Sequence, residues 1–183
     1  MSPRPSVAPP TVLNPNAIDT IIQSSIVEIL RTYDISVAPR SRSEVVGYIP
    51  DSDVVGIISF EGASIGGNLT LAVPTVVCDL PLPRRPPNTT HAEWTYELTN
   101  QVMGRIKNRL IQFQVRLRTY VPTVLSGVAV QRHKRRTAAE VLYRFAALRG
   151  DVSLTVDASL ARAVLEYSNA PLVVSDSEPL LLF

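Results

Sequence analysis

The spacing of hydrophobic positions changes several times along the chain. In NPNAIDTIIQSSIVEILRTYDI, Ile18, Ile22, Ile26, Ile29 and Leu30 recur at helical spacing. Asn14 can accept a bond from a first-turn amide, and Pro15 at the first helical position gives up no useful donor. The pattern predicts a first helix over about 15–33, with one buried stripe. The period then falls to two. EVVGYI, VVGIISFEG and GGNLTLAVP are short, rich in β-branched residues and bounded by Gly, Pro and Asp, and they read as strands. EGASIGG joins the last two as a hairpin turn. It is not a phosphate cradle, because no Lys-Ser/Thr follows it and no helix opens behind it.

VPTVVCDLPLPRRPPNTT is proline and polar residues, a crossover loop with room for at most a short helical turn. Helical spacing returns in HAEWTYELTNQVMGRIKNRLI. Thr90 with Glu93 three residues on forms a capping box, so this helix should begin near His91 and run to about Ile111. FQVRLRTYVPTVLSGVAVQ, TAAEVLYRFAAL and DVSLTVDASL follow. The middle segment has helix-forming residues. Its alternation of Val141, Tyr143 and Phe145 with Leu142, Arg144 and Ala146 also fits a strand, and antiparallel pairing with both neighbours favours the strand. Helix, hairpin, long helix and then a run of strands is an α+β order. It predicts one domain of two main helices packed on a mostly antiparallel sheet. The domain should span 14–166, between a disordered Pro-rich tail (1–13) and a C-terminal extension (167–183) with two apolar clusters that can dock as an extended segment.

Composition narrows the function. The chain has 183 residues, 45% of them hydrophobic, and a net charge of only +2, so nothing in the balance demands a nucleic acid or a membrane. A single cysteine, Cys78, excludes an internal disulfide and fits a reducing compartment. No apolar run approaches the roughly 18 residues of a membrane span. MSPRPSVAPP lacks an apolar signal core, so the expected location is cytoplasmic. QRHKRRT gathers Arg132, Lys134, Arg135 and Arg136 without interleaved aromatics, and reads as a solvated hairpin tip rather than a nucleic-acid patch. His91, His133 and Cys78 do not form a metal-ligand set.

The long helix carries the candidate chemistry. With about 100° per residue and Glu97 at zero, Glu93, Asn100, Gln101, Gly104, Lys107 and Asn108 fall within roughly 80° of it. Thr95, Leu98, Val102, Ile106 and Leu110 lie opposite, on the core face. A solvated helix face usually collects Lys, Glu and Ala. Here a carboxylate and a carboxamide stand three residues apart beside a glycine that costs about 1 kcal/mol relative to alanine. Either this is a solvated face with an incidental glycine, or the glycine lets another molecule approach closely.

The order of these motifs resembles the CheX/CheC/FliY family of chemotaxis phosphatases, most closely its single-module CheX type. NPNAIDTIIQSSIVEIL looks like the family's opening helix. VVGIISFEGASIGGNLTLAVP is similar to its glycine-punctuated hairpin. YELTNQVMGRIKNRL matches its signature helix, in which Glu, two residues, Asn and then a Gly four later recur. YVPTVLSG resembles the proline-bearing strand that follows. The likeness covers about residues 14–160.

The resemblance implies a CheX-like fold and a phosphatase acting on a CheY-like response regulator, whose phospho-aspartate carries Mg2+. This chain would need no cofactor of its own. Asn100 would position the attacking water, and Glu97 would meet the regulator's active-site lysine. Glu93, Gln101, Gly104 and Lys107 would surround them on the partner-binding face. The family also implies a homodimer, and exposed sheet edges favour pairing. A non-catalytic adaptor that docks on a receiver domain is the alternative; it would not need a water-positioning amide.

Overall fold

Isoleucine at helical spacing makes the first element, and burial rather than propensity holds it, since β-branched residues are mediocre helix formers. The computed structural model describes residues 17–46, 54–80, 85–127, 139–163 and 165. In α1 (Ala17–Thr32), Ile18, Ile21, Ile22, Ile26, Ile29 and Leu30 are all buried. The helix stops where Asp34 takes a left-handed backbone, φ 62°. Ile35 N–H then returns to the Leu30 carbonyl and Asp34 N–H to that of Arg31, the paired bonds of a Schellman cap. Ile35 is buried after the turn. Asn14, Pro15 and both tails lie outside the described residues.

The described residues form seven strands: β1 (Val37–Val46), β2 (Val54–Glu61), β3 (Gly66–Val73), β4 (Arg118–Thr119), β5 (Thr123–Ser126), β6 (Ala139–Ala147) and β7 (Gly150–Asp157). Their order is β1-β6-β7-β3-β2, with β4 and β5 both on the outer side of β2, and the pairs are all antiparallel. Ile58 pairs with Leu69, Leu69 with Val156 and Val156 with Val141, so one row of apolar side chains crosses the sheet. With Phe60, Leu71, Tyr143, Phe145 and Leu154 this row forms the sheet side of the core. The α+β, single-domain expectation holds. β6 confirms the strand reading of AEVLYRFAA, its Val141, Tyr143 and Phe145 all buried.

Two elements differ from expectation. β1 begins at Val37, well before EVVGYI, and its polar APRSRSE stretch is exposed. It is an outer strand held by its ladder to β6, with an irregularity between Pro39 and Ser41, so burial left no alternation to read. The strand-like segment FQVRLRTYVPTVLSGVAVQ holds two short strands, β4 and β5, in place of one, and Tyr120 N–H donates to Ser59 O between them. The basic RHKRR run lies outside the described residues.

The rest is short or central. α2 (Thr75–Cys78) is the single turn the crossover allows, and α4 (Ala158–Ala161) closes the described fold behind an Asp157 cap. α3 (His91–Ile111) is capped by Thr90 and Glu93 as the sequence predicts, and it lies over β2 and beside α1. It ends as α1 does: Gln114 has φ 57°, and Val115 N–H reaches back to Leu110 O.

Candidate functional site

α3 is fixed from below by a close approach to the sheet. Gly56 of β2 faces it, and a Cβ there would lie 2.0 Å from Thr99 Oγ1 and 3.3 Å from Thr95 Cγ2. Only a glycine lets helix and strand come this near. Thr99 Oγ1, the atom nearest that position, is held there by donating to Thr95 O at 2.6 Å. Trp94, Leu98, Val102, Met103, Ile106 and Leu110 complete the buried face.

From the side, α1 grips the helix through charge. Glu28 accepts from Arg105 at 2.9 Å and from Arg109 at 2.6 Å. The hydrogen bond from Arg109 pulls the Glu28 carboxyl below its ordinary value, with the charges of Arg109, Arg105 and Arg31 adding to it against partial desolvation. Each pair is half-exposed and weak alone, and it is the buried face of α3, with both arginines on one carboxylate beside it, that fixes the rotation of α3 about its axis.

That rotation presents the outer face. Glu93, Glu97, Asn100 and Asn108 are exposed, while Gln101, Gly104 and Lys107 are half-buried at its rim. A Cβ on Gly104 would meet nothing within 4 Å. Among the described residues, nothing hydrogen-bonds the Asn100 carboxamide. Glu97 is engaged: Gln101 Nε2 donates to its Oε1 at 2.6 Å. Gln101 is engaged in turn by the Tyr33 hydroxyl, 3.1 Å from Nε2 and 3.3 Å from Oε1. Glu93 Oε2 accepts from Thr90 N–H and from the Thr90 hydroxyl, each at 2.8 Å. These two bonds, the backbone one first, lower the Glu93 pKa. One oxygen of Glu93 therefore serves the helix cap.

The sequence-predicted residues thus lie on one face of α3, with Tyr33 as an addition from the turn that ends α1. Its only sequence signal is a tyrosine at the end of a helical stripe. The chemistry on offer is a free carboxamide, an oriented carboxylate and an open approach. Among the described residues no three His, Cys, Asp or Glu gather as metal ligands. Cys78 is buried, and that burial pushes its thiol up to about 11, so it stays a neutral core side chain.

The fold is that of the CheX/CheC-like proteins. Chemotaxis protein CheX from Vibrio vulnificus superposes with a TM-score of 0.64 at 19% identity, covering 76% of this chain and 97% of that one. A CheC-like superfamily protein from Shewanella sp. PV-4 gives 0.62 at 20% identity, covering 78% and 97%. A chain of the CheX-CheY-BeF3-Mg2+ complex from Borrelia burgdorferi gives 0.56 at 12% identity, covering 76% and 96%. No protein-family model and no curated protein matches the sequence. No described helix is long and apolar enough to cross a membrane.

Proposed function

We propose that this chain is a CheX-type phosphatase that hydrolyses the aspartyl phosphate of a CheY-like receiver domain in the cytoplasm. The observation that carries the reading is the exposed, unengaged carboxamide of Asn100 beside the open backbone of Gly104, on a fold shared with CheX structures. A carboxamide both donates and accepts, so it can hold a water by either partner and needs no pKa tuning. Phosphoryl transfer asks a protein mainly for position and charge stabilisation. Asn100 aims the water at phosphorus. The new P–O bond forms as the bond to the aspartyl oxygen breaks, leaving a free carboxylate on the partner and inorganic phosphate. Glu97 meets the receiver's active-site lysine. Gly104 gives the partner its approach, with Lys107, Gln101 and the unused oxygen of Glu93 at the rim. The receiver brings its own Mg2+, which offsets phosphate charge.

Decay of a phosphorylated receiver domain tests this directly. The chain should accelerate it, and Asn100→Ala should remove about 100-fold or more of that acceleration while the melting profile stays unchanged. A receiver that binds without decaying faster identifies an adaptor instead. Equal rates for wild type and variant remove Asn100 from the mechanism.

Two copies pairing through a sheet edge belong to the same proposal. Among the described residues no strand covers the outer side of β1. Sedimentation should show a species of about twice the 20.0 kDa chain; one chain mass, unchanged on concentration, removes the pairing.

A further inference from the structure

We infer that Tyr33 and Gln101 form a clamp that orients the Glu97 carboxylate for docking, a role that rests on the phosphatase reading above. Glu97 and Gln101 are i, i+4 neighbours, and alone they would be an ordinary surface pair. Three observations set this pair apart. The Gln101–Glu97 bond is short, 2.6 Å, and its acceptor is a carboxylate, which strengthens it. The same Nε2 gives its other proton to the Tyr33 hydroxyl at 3.1 Å, so both of its N–H bonds are committed. The Tyr33 proton has Gln101 Oε1 within reach at 3.3 Å. The amide can neither flip nor swing away without losing bonds on both sides.

The far end of the clamp is anchored in the core. Tyr33 is 8% exposed, and it is the residue that leaves α1 within the Schellman turn. Its ring packs edge-on against Trp94, with centroids 5.7 Å apart and planes at 88°. Trp94 is itself 1% exposed. The position of a surface carboxylate is thereby tied to the packing of α1 against α3. Only Oε1 is held by Gln101, which leaves Oε2 for a partner's cation. A carboxylate ordered before docking loses less freedom on docking. The clamp therefore acts on affinity. Asn100 lies outside it, so turnover of the bound complex is spared.

Tyr33→Phe deletes one hydroxyl and keeps the ring against Trp94. Its KM for a phosphorylated receiver domain should rise about three- to tenfold, with kcat within about twofold of wild type. In a Glu97→Gln background Tyr33→Phe should add nothing, because its effect passes through the charged carboxylate. A purely structural tyrosine would change both backgrounds equally, and that result overturns the clamp. So does a Tyr33→Phe enzyme with wild-type KM.

A second measurement needs no activity. In the free protein the Gln101 side-chain amide protons should exchange with water slowly, and faster in Tyr33→Phe. Exchange in the wild type as fast as in an unstructured glutamine overturns the clamp. Slow exchange in a chain that leaves phosphorylated receivers untouched overturns the phosphatase reading, and with it the docking role, while the hydrogen-bonded unit stands.

Discussion

Two glycines lie on opposite sides of the same helix contact. At Gly56, beneath α3, a Cβ would collide with Thr99; at Gly104, on its outer face, a Cβ would meet nothing within 4 Å. The first is required by the fold. The second is a cost to the fold that no packing repays, since glycine inside a helix gives up about 1 kcal/mol against alanine. Space that the protein's own side chains could fill, and do not, points to something that arrives from outside. The lower face of α3 is determined by what it touches, and the upper face by what it leaves open.

The larger effect belongs to the lower face. Gly56→Ala puts a methyl group against the Oγ1 and Cβ of a β-branched residue whose hydroxyl is already bonded to Thr95 O. Thr99 cannot rotate away without giving up that bond, so helix and strand must separate. Overpacking of this kind costs about 1–3 kcal/mol, and chemical denaturation should place the loss toward the upper end. A variant as stable as wild type would show that α3 rides on β2 more loosely than the geometry says.

The upper face should respond in the opposite sense. Gly104→Leu should stabilise the fold by roughly 0.5–1 kcal/mol through helix propensity and weaken receiver binding about tenfold or more by filling the approach. Titration and melting on the same sample make the test. Tighter helix with unchanged affinity would mean that the open backbone is not where the partner comes in, and the contrast between the two glycines would lose its functional half.

The two faces were also unequally legible in the sequence. Period and caps marked α3 well: Thr90 and Glu93 fix its start, and Thr95, Leu98, Val102, Ile106 and Leu110 are all buried as their spacing demands. The alternation of Val141, Tyr143 and Phe145 likewise gave β6 against its helix propensity. β1 was partly hidden, because an outer strand needs its ladder and not a hydrophobic face, and Ala38 to Glu44 carry no two-residue signal. Tyr33 was hidden altogether. It stands 68 positions from Gln101, and only the packing of α1 on α3 brings the two together. The residues that would touch a partner were readable from local spacing. The one proposed to hold them in place was not, because its role is created by tertiary contact.

The smallest expected effect concerns Glu93, the residue where cap and outer face meet. Its Oε2 is bonded to the backbone and hydroxyl of Thr90, and these bonds lower its pKa in the folded chain. A carboxyl whose folded pKa lies below its unfolded one adds stability above the unfolded pKa, near 4.3 for an ordinary glutamate. That contribution is lost as the pH falls through the folded value. Glu93→Gln keeps an acceptor for the cap and removes the charge, which also favours a helix N-terminus. Wild type should therefore melt slightly above the variant at about pH 7, and the gap should close by about pH 3. The charges around Glu28 titrate in the same acid range but are common to both proteins, so they cancel in the difference. A gap that persists unchanged into acid would show that the glutamine fails as a cap for reasons of shape rather than charge. Receiver affinity measured on the same pair separates the two duties of the side chain. If Glu93 serves only the cap, affinity at neutral pH stays at the wild-type value. If the free Oε1 also reaches the partner, affinity falls even where the melting temperatures differ little, and the outer face then extends to the first turn of α3.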